Sequence, residues 1–128
     1  MDNRQLGIFD SGGLTCIEPL LKALPDERIL YFGDTARTPY GSKSPETVQA
    51  FSLQIADFLV ARGAKMLAIA CNTISSTAIP MLQDRYQDIP VVGIIRPAAS
   101  EIASRYGKKH SVGIIGTKVT VQSRAYED

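Results

Sequence analysis

The run Cys71-Asn72-Thr73 carries the most chemistry in this sequence. It closes an apolar run at residues 66–70 and leads into Ser75 and Ser76, where a helix is expected to begin. A short apolar run with polar turn residues after it reads as a buried parallel strand. That places the sulfur at the strand's C-terminal end, where open α/β sheets hold their ligands. Helix N–H groups at that point would favour a thiolate and attract an anionic substrate group. The same residues also suit a buried structural thiol, because a free cysteine packs as a small hydrophobe. Both readings stand on this stretch alone.

Two further polar tips accompany it. Asp10-Ser11-Gly12-Gly13 follows a short apolar strand at residues 6–9, and Gly33-Asp34 follows another at 29–32. The second opens into TARTPYGSKS, residues 35–44, which has no periodicity. Turns need Gly, Ser and Asp for their own geometry, so any one tip has an ordinary explanation. Three on one sheet edge, one with a cysteine, describe a binding crevice. The DSGG turn is not GxGxxG and no acid follows a second strand in dinucleotide fashion, so no nucleotide cofactor is expected. His110 lies in the polar turn KKH and reads as a solvated loop residue, and Cys16 reads as packing.

The elements that must position these tips alternate between strand and helix. Residues 14–24 form a helical stripe that Pro19 strains unless it falls in the first turn. Ser44-Pro45-Glu46 is a helix start, with a capping hydroxyl, proline at the first position and an early acid. Val48, Phe51, Ile55, Phe58 and Leu59 form its buried face, and Gly63 ends it. The helix after Thr73 should run to about Tyr86 with an interruption at Pro80. A fourth strand is expected at 91–95, a helix at 97–106 ended by Gly107, and a fifth strand at 111–115. A final helix should follow Thr120 and run through Val121 to Asp128, with no partner layer for Val119, Val121, Ala125 and Tyr126. The fold class is therefore α/β, a doubly wound parallel sheet with right-handed crossovers.

With 128 residues, one domain of ordinary size is expected. Fourteen basic against thirteen acidic residues, net charge +1, point to neither nucleic acid nor a membrane surface. No apolar run approaches the roughly 20 residues of a membrane span, and no secretory signal is visible at the start. Cys16 and Cys71 lie far apart without a CxxC or a neighbouring histidine. Neither a disulfide framework nor a metal site is expected, and a cytoplasmic, reducing setting follows.

The motifs IFDSG followed by GLT, then YFGDTARTPYGSKSPE, AIACNT and VGIIGT, taken in order, resemble the N-terminal part of glutamate racemase, within the Asp/Glu racemase superfamily. The resemblance runs over essentially the whole chain. It implies cofactor-independent interconversion of L- and D-glutamate for peptidoglycan precursor synthesis and cell wall biogenesis. It further implies two cysteines on opposite faces of the substrate, one removing the Cα proton and one returning it. Cys71 matches the first. Asp10, Ser11, Tyr40, Gly41, Asn72 and Thr73 match substrate contacts, with Pro39, Ser42, Thr117 and Thr120 as additional wall residues. The second cysteine, in a GCTH motif, belongs to a later half. Residues 1–97 would then be the N-terminal α/β domain and 98–128 the incomplete start of a similar second one; the apolar edge this leaves uncovered is expected to make the chain associate with itself, as a homodimer. The family turn usually reads DSGVGGLT; here it is DSGGLT, two residues shorter, which should draw the first helix toward the strand and displace Asp10 and Ser11.

The chemistry is demanding. An amino acid's Cα proton is weakly acidic and its carboxylate makes the carbanion worse, so a base, an opposing acid and positive potential are all needed. A thiol with a pKa of about 8.5 serves once cationic groups or helix N-termini lower it. Asp10 could hold the substrate ammonium, with donors and acceptors from Ser11, Asn72, Thr73 and the Tyr40-Gly41 backbone. The competing readings are an inactive truncated paralogue with a binding or regulatory role, another cofactor-independent racemase, and a thiol hydrolase. The last lacks a base placed for a triad.

Overall fold

The computed structural model describes residues 2–127; Met1 and Asp128, the far end of the expected last helix, lie outside the described residues. Four strands, β1 (Gln5–Asp10), β2 (Ile29–Gly33), β3 (Ala64–Ile69) and β4 (Val91–Gly93), form one parallel sheet in the order β2-β1-β3-β4. The register pairs Phe9 with both Phe32 and Ile69, and Leu67 with both Gly7 and Val91. Alternate residues point to opposite faces, so Leu30, Phe32, Phe9, Leu67, Ile69 and Val91 share one face. Helix α2 (Pro45–Ala61) lies against it through Val48, Ile55, Ala56 and Leu59. Ser44 caps α2 by accepting from the Thr47 N–H at 3.2 Å, with Pro45 at the helix start as expected. Gly63, at φ +84°, turns the chain out of it into β3.

Two short helices extend this layer, α3 (Asn72–Thr77) and α4 (Ile79–Arg85), meeting at Ala78. The expected interruption is there: Pro80 has no N–H for the Ser76 carbonyl and its ring crowds it. The helix begins at Asn72 rather than Ser75, so Asn72 and Thr73 are helical residues and Cys71 is the N-cap.

The opposite face buries Leu6 and Ile8 at its centre but is thinly covered around them. Helix α1 (Ile17–Ala23) buries no residue, and α5 (Ile95–Tyr106) buries only Ile95. α1 starts at Ile17 because Pro19 can be accommodated only in the first turn, which leaves Leu14 outside the helix and exposed. α5 absorbs Ile95, shortening β4 to three residues, and ends at Gly107 with φ +60°.

The expected fifth strand is absent. Residues 111–116 carry no ladder and Ile115 is fully exposed. A strand exists through pairing, and the edge strand β4 offers only Val91–Gly93 and gains no neighbour beyond β3 among the described residues. The last helix also differs. α6 (Lys118–Ser123) starts before Thr120, is capped by Thr117, and packs on α3 with Val119 and Thr120 buried. The expectation that Val119 lacks a partner layer is therefore corrected. Val121 does remain exposed.

Candidate active site

The tips of β1 and β3 meet directly. Cys71 follows β3, is 7% exposed, and its Sγ lies 3.8 Å from the Ser11 Oγ. No side chain caps α3, so the first N–H groups of that helix, from Asn72 and Thr73, are not consumed by a cap. The helix is only six residues long before it breaks at Ala78, so its dipole is that of a short helix rather than of the continuous one the sequence suggested.

Asp10 turns back on its own loop. One carboxylate oxygen accepts from the Ser11 N–H at 2.6 Å and the other from the Gly13 N–H at 3.1 Å. Gly12 takes φ +140°, open only to glycine, which lets this tight turn close. The Tyr31 hydroxyl then donates to the Gly13 carbonyl at 2.6 Å and ties the turn to β2. The short DSGG turn is thus pinned by its own aspartate, while Ser11 still reaches Cys71.

The loop after β2 is fixed by a buried acid. Asp34 is buried and accepts from Arg37 Nε at 2.6 Å and from the Tyr40 hydroxyl. Arg37 also donates to Gln54 on α2 at 2.6 Å and lies over the Phe51 ring. Burial first, then the Asp34 hydrogen bond, raise the Tyr40 phenol well above its ordinary pKa. Tyr40 is buried with its hydroxyl committed to Asp34, so its contribution to a site is through its backbone beside Gly41. The Thr38–Pro39 bond is cis.

Gly41 and the C-terminal segment are in contact. A Cβ on Gly41 would stand 2.5 Å from Thr117 Cγ2, so only glycine fits. Thr117 links onward, its Oγ1 lying 2.9 Å from the Thr73 Oγ1 and 3.0 Å from the Thr120 Oγ1. The Tyr126 hydroxyl donates to Asn72 Oδ1. The structure thus groups Ser11 with Cys71, Thr73 with Thr117, Thr120 and Gly41, and Asn72 with Tyr126. Pro39 and Ser42 stand outside these contacts. A groove of about 350 Å³ opens nearby between α2 and α6, lined by Gly41, Ser42, Lys43, Thr77, Lys118 and Val119, but Cys71, Ser11 and Asn72 do not line it. It is therefore a neighbour of the thiol site and not the site itself.

Asp34, Arg37 and Tyr126 were not found from sequence. Asp34 and Arg37 looked like ordinary turn residues; Tyr126 lay on a helix expected to have no partner. Only the apolar residues interleaved with hydroxyls at 117–121 could have signalled that this segment packs.

The sequence profile described as Asp/Glu/Hydantoin racemase matches residues 14–128. A glutamate racemase from Geobacter metallireducens is 54% identical over 127 residues, covering 96% of this chain and 46% of that protein. The structure of a glutamate racemase from Thermus thermophilus in complex with beta-chloro-D-alanine superposes with a TM-score of 0.87 at 46% identity, covering 98% of this chain and 48% of that one. That of a Francisella tularensis glutamate racemase with D-glutamate gives 0.89 at 44% identity, covering 99% and 48%. The chain spans about half the length of the relatives it matches.

Proposed function

The chain belongs to the Asp/Glu/hydantoin racemase family, and from that premise we propose that it supplies one thiol of a cofactor-independent glutamate racemase, serving peptidoglycan precursor synthesis. The observation that carries this reading is Cys71 at the end of β3, within 3.8 Å of Ser11 and at the head of an uncapped helix. As a thiolate, Cys71 removes or returns the Cα proton on one face of glutamate. Asn72, Thr73 and the Gly41 backbone present donors to the substrate carboxylates, and Ser11 stands beside the sulfur, held by Asp10. Both Asp10 oxygens already accept from their own turn, so its role is to hold Ser11 in place, with any ammonium contact using a remaining lone pair.

The opposite face needs a second acid–base group, which the resemblance assigns to the later half of the longer relatives. Residues 1–97 then act as the N-terminal domain and 98–128 lead into the second. Exposed Leu14, Leu21, Leu24, Ile114 and Ile115 support self-association, proposed here as a homodimer. Two free thiols among the described residues suit a cytoplasmic setting, and no helix among them is long and apolar enough to cross a membrane.

The test is L- to D-glutamate conversion followed by circular dichroism. The 128-residue chain alone should give none. Joined to the second half of the Geobacter metallireducens relative it should turn over, and Cys71→Ser should abolish that turnover. Turnover by the short chain, or by the Cys71→Ser form, overturns the two-thiol reading.

A further inference from the structure

Asn72 is exposed at the head of α3, and an exposed asparagine amide ordinarily presents its oxygen and its nitrogen with equal ease. Here one residue far away in sequence breaks that symmetry. α6 is docked on α3 by buried Val119 and by the Thr73–Thr117–Thr120 hydroxyl chain. Arg124 ends α6 in the left-handed region at φ 58° and reverses the chain, with the Glu127 N–H closing the turn on the Arg124 carbonyl at 2.8 Å. This reversal brings the Tyr126 hydroxyl onto Asn72 Oδ1. The amide oxygen is thereby occupied, and Nδ2, with two N–H donors and no protein partner among the described residues, is the end left for a ligand.

We propose that Tyr126 is a positioning residue for the thiol site: it holds the Asn72 amide so that its N–H donors, and not its carbonyl, face a substrate carboxylate beside Cys71. The proposal rests on the reading of Asn72 as a substrate contact. A freely rotating amide would offer its carbonyl oxygen to an anion part of the time, which repels it. Fixing the rotamer in advance removes that state and the cost of ordering the side chain on binding.

The experiment compares alkylation of Cys71 by iodoacetate, which carries a carboxylate, with alkylation by neutral iodoacetamide, using the full 128-residue chain. The iodoacetate-to-iodoacetamide rate ratio reads carboxylate recognition at the thiol and is insensitive to a general change in exposure. Tyr126→Phe, which deletes one oxygen, should lower the ratio by about threefold to tenfold, the worth of one neutral hydrogen bond, with the thermal midpoint unchanged. Asn72→Ala should lower it at least as far, and adding Tyr126→Phe to Asn72→Ala should change nothing more. An unchanged ratio in Tyr126→Phe with a lowered one in Asn72→Ala overturns the role of Tyr126 and leaves Asn72 as a contact. So does a further fall when Tyr126→Phe is added to Asn72→Ala. An unchanged ratio in Asn72→Ala overturns both.

Discussion

Residues of alternate parity on the same four strands meet two different surroundings. Phe9, Leu67 and Ile69 point into a layer made by α2, α3 and α4 and are completely covered. On the other face Ile8 at the centre is 1% exposed, but Tyr31, Met66 and Ala68 around it are only half-buried, and Val92 is 42% exposed. The right-handed crossover from β1 to β2 sets α1 over this second face, and α1 buries none of its own residues. The covered face is also the one that builds the site. Cys71 and Thr73 head α3, and the Tyr40-Gly41 loop leads into α2 and is anchored to it through Arg37 and Gln54. Chemistry that needs side chains held to a fraction of an ångström is placed on the rigid layer. The thin face leaves leucines at the surface, and its link to the site is Tyr31, whose hydroxyl holds the Asp10-Ser11 turn through the Gly13 carbonyl.

The largest expected effect tests that contrast at its root. Leu67→Ala empties a fully buried position and should cost about 3 kcal/mol in urea unfolding, whereas Leu21→Ala on α1 should cost less than about 1 kcal/mol. Equal costs would mean that α1 is packed in solution and the asymmetry is not real. Next comes the buried acid behind the loop. Asp34→Ala leaves the Tyr40 hydroxyl and Arg37 without their acceptor and should cost about 2 to 3 kcal/mol, at the low end for a buried ion pair because Arg37 is 29% exposed. A loss below about 0.5 kcal/mol would show that the loop is held by packing alone. Gly41→Ala should cost about 1 to 2 kcal/mol by driving Thr117 away. Hydrogen exchange should then show lost protection at the Val121 amide, which bonds the Thr117 carbonyl, while the α2 amides are unaffected. Loss of protection spread over α2 would place the loop's anchorage elsewhere.

The smallest effect is a pH dependence on the covered face. The Tyr86 hydroxyl and then Arg85 hold the Asp57 carboxyl below the ordinary carboxylate range, joining α4 to α2. A depressed folded-state pKa stabilises above the unfolded value, so this contribution is complete above about pH 4 and lost as pH falls below it. The groups are half-exposed, which limits it to a few tenths of a kcal/mol. Tyr86→Phe should flatten the acid limb of the stability curve by that amount; an unchanged limb would show that the link is broken in water.

Much of the covered face was legible because its signals are local. The Ser44-Pro45 start of α2, the apolar run into Cys71 and the interruption at Pro80 each state their own structure. So does the apolar period of α2 at Val48, Ile55 and Leu59, although Phe58, expected on its buried face, is 38% exposed. The misreadings were decided by neighbours that no local pattern names. Residues 111–115 read as a strand by composition, but a strand needs an edge, and β4 is three residues long. α6 looked unsupported because its partner is α3, more than 40 residues earlier. The aspartate that holds Tyr40, and the tyrosine that holds Asn72, are visible only once the loops are folded beside one another. The position of Cys71 at the head of a helix after β3 was legible because strand, turn and helix signals coincide there.

The central claim is that Cys71 is the reactive thiol, and the two cysteines of this chain provide its test. Cys16 is the more exposed of the two, and burial raises its thiol pKa. Cys71 is almost covered. If exposure alone decided reactivity, Cys16 would be alkylated first. Peptide mapping after a limited pulse of iodoacetamide at neutral pH should instead find the label on Cys71 well before Cys16. Equal labelling, or Cys16 first, would contradict the account and return Cys71 to a packing role.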